Sequence, residues 1–206
     1  MPTLTALAPD PRQPAYRVVA VDRGRLASLP GDAVDALDLR LGAELSGPVL
    51  ERLQELAEVE AALEAAVHAL AAHARSRAEL GRRLRRRHPG PAVDQALARL
   101  ERNGLLDDRR FAHEYALARA ARGRGASRIL TELLTRGVER SVAEGAVATL
   151  VDSGEATRAL RNAATRRVAQ LAQVPPRERR RRLLGYLGRR GFRGAEVLAL
   201  VQELCP

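Results

Sequence analysis

The chain has no lysine, no tryptophan, a single cysteine and, in 206 residues, only two phenylalanines and three tyrosines. Each absence excludes something. Cys205 stands one residue from the end, so neither an intrachain disulfide nor a cysteine-rich metal site can form. With aromatics at 2%, single-stranded nucleic acid read by base stacking is disfavoured, because such sites need exposed rings as platforms. The core must be filled by Leu, Ala and Val, which suits packed helices better than strand-rich folds. No run of about 18 apolar residues occurs, and the N-terminus lacks a basic-then-apolar signal. A soluble cytoplasmic protein is expected.

Catalytic constellations are missing as well. His68, His73, His88 and His113 have neither the spacing nor the acidic or cysteine company of a metal set. Asp107 and Asp108 are adjacent, so they do not face one another on a helix, and capping of a helix start explains them without chemistry. There is no P-loop, no dinucleotide-binding glycine turn and no nucleophile elbow. The sequence predicts a protein that is not an enzyme and takes no cofactor and no metal.

What the chain has in quantity is arginine. All 35 basic residues are Arg, against 25 acids, for a net charge of +10. The surplus is local: residues 1–60 carry 6 Arg and 10 acids, residues 61–206 carry 29 and 15, so the two stretches stand at −4 and +14. Genomic base composition can favour Arg over Lys, but it does not sort charge between segments. A basic face gains affinity for a polyanion by releasing counterions from phosphates, and the guanidinium fork suits phosphate and carboxylate alike. Nucleic acid and an acidic protein surface both fit.

A repeat organises this charge. Val93, Ala96, Leu97 and Leu100 recur as Ala143, Ala146, Val147 and Leu150, and again as Val197, Leu200, Val201 and Leu204, offset by 50 and then 54 residues. Each set keeps the i, i+3, i+4, i+7 spacing of one helical face. Stacked helical modules follow, each too small to bury its stripe alone. The expected fold is mainly α: three tandem three-helix units in an elongated arrangement, over 61–105, 106–154 and 155–206. They follow a flexible tail at 1–14, which holds four prolines, and a segment at 15–60 with a small N-terminal β-hairpin and a long connecting helix. The hairpin pairs 16–21 with 25–29 around Asp22, Arg23 and Gly24. A brief helix is expected at 32–39 and the long one at 49–74.

Ser76 and Glu79 have the spacing of a capping box for the next helix. Pro89, Gly90 and Pro91 end it, 92–103 forms another, and Asp107 with Asp108 caps a third. Ser127 and Ser141 are expected to cap the two helices after that, and 156–172, 176–190 and 195–204 complete the last unit. Arg82, Arg83, Arg86 and Arg87 then share a face opposite Leu80 and Leu84. Arg122, Arg124 and Arg128 flank a glycine break where a helix N-terminus offers N–H groups to an anion. Arg179, Arg180, Arg181, Arg182, Arg189 and Arg190 stand in the third unit. A charge run is often only a solvated face, but recurrence in all three units makes the set the candidate binding surface.

Four segments carry a resemblance. Asp107, Asp108, Arg109, Arg110, Phe111 and Ala112 resemble the DDxRFA element of the RecX family, regulators of the RecA recombinase. Ser76, Arg77, Glu79 and Leu80 resemble its SRxEL helix. Gly125, Arg128, Ile129, Glu132, Leu133 and Gly137 resemble its second-unit helix and turn, and Leu187, Arg189, Arg190, Gly191 and Phe192 its LxRRGF. The four occur in order across residues 61–204. The resemblance implies tandem three-helix units that lie in the groove of a RecA filament on DNA and restrain ATP hydrolysis, strand exchange and filament growth, in recombinational repair and the SOS response. The arginines of the three clusters would then contact DNA through its phosphate backbone or contact the filament. A chain with three units supplies its own multivalency, so a monomer is expected. The alternative is a DNA-binding protein, transcriptional or architectural, presenting a three-helix unit to a groove.

Overall fold

A computed structural model of the chain describes residues 2–22 and 24–205. Arg23 of the expected turn lies outside that range, as do Met1 and Pro206 at the ends of the expected tail and third unit. The chain divides into two compact bodies, an N-terminal one of residues 1–74 with 80–106, and a C-terminal one of residues 75–79 with 107–206.

The N-terminal body begins with an antiparallel sheet in the order β1-β2-β3, formed by β1 (Leu4–Asp10), β2 (Gln13–Val21) and β3 (Gly24–Pro30). The expected hairpin is β2–β3. β1 corrects the reading of residues 1–14 as a tail. Its one proline, Pro9, is compatible with a strand because β1 is an edge strand, where a missing N–H need not break a ladder. The buried Asp10 turns the chain into β2, accepting from the Arg12 N–H at 2.8 Å and the Ser28 hydroxyl at 2.5 Å.

After α1 (Gly31–Asp35), α2 (Gly47–Ala72) runs through two successive cores. Leu53 packs with Leu4, Val19, Leu29, Val34 and Leu45 under the sheet. Ala62, Ala66 and Ala69, at steps of four and three, pack with Leu80, Leu84, Val93, Leu97 and Leu100 of α3 (Arg77–Leu84) and α4 (Gly90–Arg102). Arg99 ties these layers, donating to the Tyr16 hydroxyl and to Glu60, each at 2.6 Å.

The C-terminal body contains α5 (Asp108–Ala121), α6 (Ala126–Thr135), α7 (Arg140–Asp152), α8 (Glu155–Gln170), α9 (Pro176–Arg189) and α10 (Ala195–Leu204). Helices of the expected second and third units share one core, in which Phe111, Ile129, Leu133, Leu150, Leu160, Leu183, Leu187 and Val201 are buried together.

The Ser76–Glu79 capping box is present: the Glu79 N–H donates to Ser76 Oγ at 3.1 Å and the Ser76 N–H to the Glu79 carboxylate at 3.4 Å. Two expected caps differ. Gly125, not Ser127, precedes α6, and Glu139, not Ser141, caps α7, accepting from the N–H groups of Ser141 and Val142. Glu139 reaches donors at the same distance along the chain as a shorter cap would. Gly125 is fixed by a neighbour remote in sequence. A Cβ there would lie 2.4 Å from the Gly191 backbone, and Gly191 itself takes a left-handed φ of +89°.

Candidate nucleic-acid interface

The first arginine cluster sits on less helix than expected. α3 ends at Leu84, leaving Arg82 and Arg83 on its last turn and Arg86 and Arg87 in the turn beyond. Pro89 is the cause: the residue before a proline is pushed away from helical geometry, so the chain unwinds ahead of it. The Arg87 and His88 N–H groups both close on the Leu84 carbonyl, at 2.9 and 3.0 Å. All four arginines are exposed while Leu80 and Leu84 are buried. Arg83, Arg86 and Arg87 surround one concavity with Ala65, Leu84 and His88, so the surface is built from the end of α3 together with the turn beyond it.

In the second cluster, Arg122 is exposed at the end of α5, Arg124 is half-buried, and Arg128 is bonded to Glu132 at 3.0 Å. Glu132 also accepts from the Tyr115 hydroxyl at 2.8 Å and pairs with Arg119 at 3.1 Å. Burial opposes its ionisation, but the Arg128 and Tyr115 hydrogen bonds and the charges of Arg119 and Arg124 outweigh that and hold its carboxyl below the usual range. Tyr115 lies under two guanidinium groups, Arg119 at 4.8 Å and Arg136 at 4.7 Å from the ring centre. At the helix start expected to offer its N–H groups to an anion, the Gly125 N–H donates to the Arg190 carbonyl at 2.8 Å and the Arg128 N–H to the Gly125 carbonyl at 3.0 Å.

The third cluster divides. Arg179 donates to the carbonyls of Ala172 and Val174, at 2.9 and 3.0 Å, and so fastens the α8–α9 connection. Arg182 is held by Glu178 at 2.6 Å, and Arg181 stands 4.0 Å from the same carboxylate. Arg180 and Arg189 are exposed. Arg190 donates from Nη1 to the Arg122 and Gly123 carbonyls, at 3.0 and 3.1 Å, and stacks on Tyr186 at 4.7 Å. It caps the C-terminal end of α5, where a cation is favoured.

Arg122 and Arg190 meet in a groove of about 530 Å³ between the end of α5, α8 and α9. The other walls are Arg158 and Arg166, two arginines that sequence reasoning passed over. A signal was available: Arg158, Asn162, Arg166 and Gln170 step by four along α8, and all four line the groove. Attention to runs of adjacent arginines hid this spaced row. Among the described residues, no group of three or more His, Cys, Asp or Glu could hold a metal ion, and no helix is long and apolar enough to cross a membrane.

Comparison with known proteins gives a consistent set of likenesses. Residues 62–100 match the family model for RecX, first three-helix domain, and residues 107–147 the one for RecX, second three-helix domain. The chain is 37% identical over 132 residues to the regulatory protein RecX of Thermobifida fusca, covering 63% of this chain and 70% of that protein. It is 36% identical over 142 residues to that of Halorhodospira halophila, covering 68% of this chain and 86% of the relative. In fold it is similar to a solved crystal structure of regulatory protein RecX, with a TM-score of 0.78 at 16% identity over 98% of this chain and 100% of the other.

Proposed function

The chain belongs to the RecX family of regulatory proteins, and from that premise we propose that it binds RecA recombinase filaments on DNA and modulates them, chiefly by inhibition. ATP hydrolysis, strand exchange and filament growth are the activities restrained, in recombinational repair and the SOS response. The protein acts by binding rather than by catalysis, as a cytoplasmic monomer.

One observation carries this reading. Arg83, Arg86, Arg87, Arg122, Arg180 and Arg189 are exposed and make no side-chain hydrogen bond or ion pair among the described residues. Other exposed guanidinium groups are neutralised by carboxylates, as Arg85 is by Asp94 and Arg161 by Glu203. Cations left without internal partners are available to phosphates, and many modest contacts on one chain accumulate into useful affinity.

The test is the DNA-stimulated ATPase of the cognate recombinase. Inhibition that deepens as the protein is titrated, and that weakens with added salt, is the expected result. Hydrolysis unchanged across a wide range of protein concentration would reject the proposal.

A further inference from the structure

The groove between the end of α5, α8 and α9 has a composition that selects its ligand. We propose that this groove, bounded by Arg122, Arg158, Arg166 and Arg190, is a binding site for the phosphodiester backbone of DNA, gripping successive phosphates without reading bases. The proposal rests on the regulatory reading above only in taking DNA to be present.

Charge comes first. Four guanidinium groups face one carboxylate, Glu155, and that carboxylate is matched by Arg158 at 3.1 Å. Arg122 and Arg166 have no side-chain partner among the described residues. Arg190 engages only Nη1 in hydrogen bonds, leaving the rest of its fork for an acceptor. It is also pre-set, held by the two carbonyls and by Tyr186, so little side-chain entropy is lost on binding.

The floor and spacing decide among anions. Ala120, Ala159 and Ala163 floor the groove, so nothing bulky bars close approach of a backbone, and nothing apolar and large offers the anchor that a protein partner needs. The one aromatic ring in the lining, Tyr186, carries Arg190 at 4.7 Å and Arg167 at 5.3 Å, and is therefore not a free platform for a base. Arg158 and Arg166, eight residues apart on α8, are separated by about 12 Å along the axis. One free phosphate cannot bridge that gap. A strand rising about 3.4 Å per nucleotide places several phosphates along it.

Binding of the full-length protein to a labelled DNA duplex, without recombinase, is measured by fluorescence anisotropy across a salt series. R122A/R166A should weaken binding about tenfold or more near 0.1 M salt and flatten the log–log salt slope by about two, the loss of two phosphate contacts. R122K/R166K should recover most of the affinity. R140A/R161A removes the same net charge from two exposed, carboxylate-paired arginines and should change affinity less than about twofold. Neither Arg122 nor Arg166 has a side-chain bond to lose, so melting temperatures should match that of the wild type.

No binding by the wild-type chain, unchanged binding by R122A/R166A, or equal loss in R140A/R161A would overturn the site. So would displacement of the duplex by poly-glutamate as effective as displacement by unlabelled duplex, which would assign the groove to an acidic protein. Inorganic phosphate competing beyond its ionic strength would reduce it to a single-anion site and overturn it too. The same variants in the recombinase ATPase assay separate the two claims. If wild type inhibits and R122A/R166A binds DNA normally, the groove falls and the regulator stands; if wild type is inert toward the ATPase but the variant loses DNA, the reverse holds.

Discussion

At the scale of single residues, two neighbouring aspartates do different work. Asp107 caps its own helix, accepting from the N–H groups of Arg109 and Arg110 at 2.8 and 3.1 Å. Asp108 caps another: its carboxylate accepts from the Arg77 N–H at 2.7 Å, at the start of α3, where the wholly buried Ser76 also donates to the Arg136 carbonyl. The Arg110 N–H, above all, holds the Asp107 carboxyl below its ordinary pKa, with the Arg109 N–H and both arginine charges assisting against slight desolvation. Replacing Asp107 by Ala should cost about 1 kcal/mol, seen as a drop of a few degrees in melting temperature. Asn can cap as well as Asp, so D107N should stay within a few tenths of wild type at pH 7. The pH dependence separates the two. A carboxyl whose folded pKa lies below the unfolded value of about 3.9 stabilises fully above that value and loses its contribution as pH falls through the folded pKa. D107N should therefore lose less stability than wild type on titration from pH 5 to pH 2, and equal acid sensitivity would contradict the assignment.

At the scale of elements, what was legible in the sequence was whatever depends on near neighbours. The stripe Val93, Ala96, Leu97, Leu100 is buried throughout, because helical spacing is set locally. The partners of the Ser76–Glu79 box stand three positions apart, and both of its hydrogen bonds form. Features with remote causes were not legible. β1 depends on β2 to accept it as an edge, so the four prolines of residues 1–14, of which only Pro9 lies in β1, suggested a tail. The start of α6 is set by Gly191, 66 positions away from Gly125, which no periodicity reports. Arginine runs gave charge but not partners: Arg179 and Arg190 look like surface cations in sequence and serve carbonyls in the fold. The glycines make this testable. A Cβ at Gly125 meets backbone atoms of Gly191 and Phe192 at 2.4 to 2.5 Å, which cannot yield as a side chain tip would. G125A should destabilise by about 2 kcal/mol or more. Gly145, inside α7 with nothing within 4 Å of its would-be Cβ, has the opposite expectation. G145A should stabilise by about 0.5–1 kcal/mol. Chemical denaturation of both variants measures the contrast, and a destabilised G145A or a neutral G125A would break it.

Over the whole molecule, a net charge of +14 in residues 61–206 against −4 in residues 1–60 creates a field, but its arginines are not equally engaged within the fold. Arg83, Arg86 and Arg87 surround a concavity with no internal side-chain partner, whereas Arg179 holds two carbonyls and Arg182 a carboxylate. Two charge clusters that look alike in sequence should thus fail in different ways. R83E/R86E/R87E should leave the melting temperature nearly unchanged and raise the concentration for half-inhibition of the recombinase ATPase by about tenfold or more at low salt. That gap should narrow as salt rises, because exposed charges are screened within a Debye length of about 10 Å at 0.1 M. R179A should instead lower stability by about 1–2 kcal/mol, the cost of stranding carbonyls that lose their donor, while its inhibition, measured well below its melting temperature, changes little. If both variants lose inhibition alike and neither loses stability, the arginines act only as undifferentiated charge, and the division between cations that bind and cations that build does not hold.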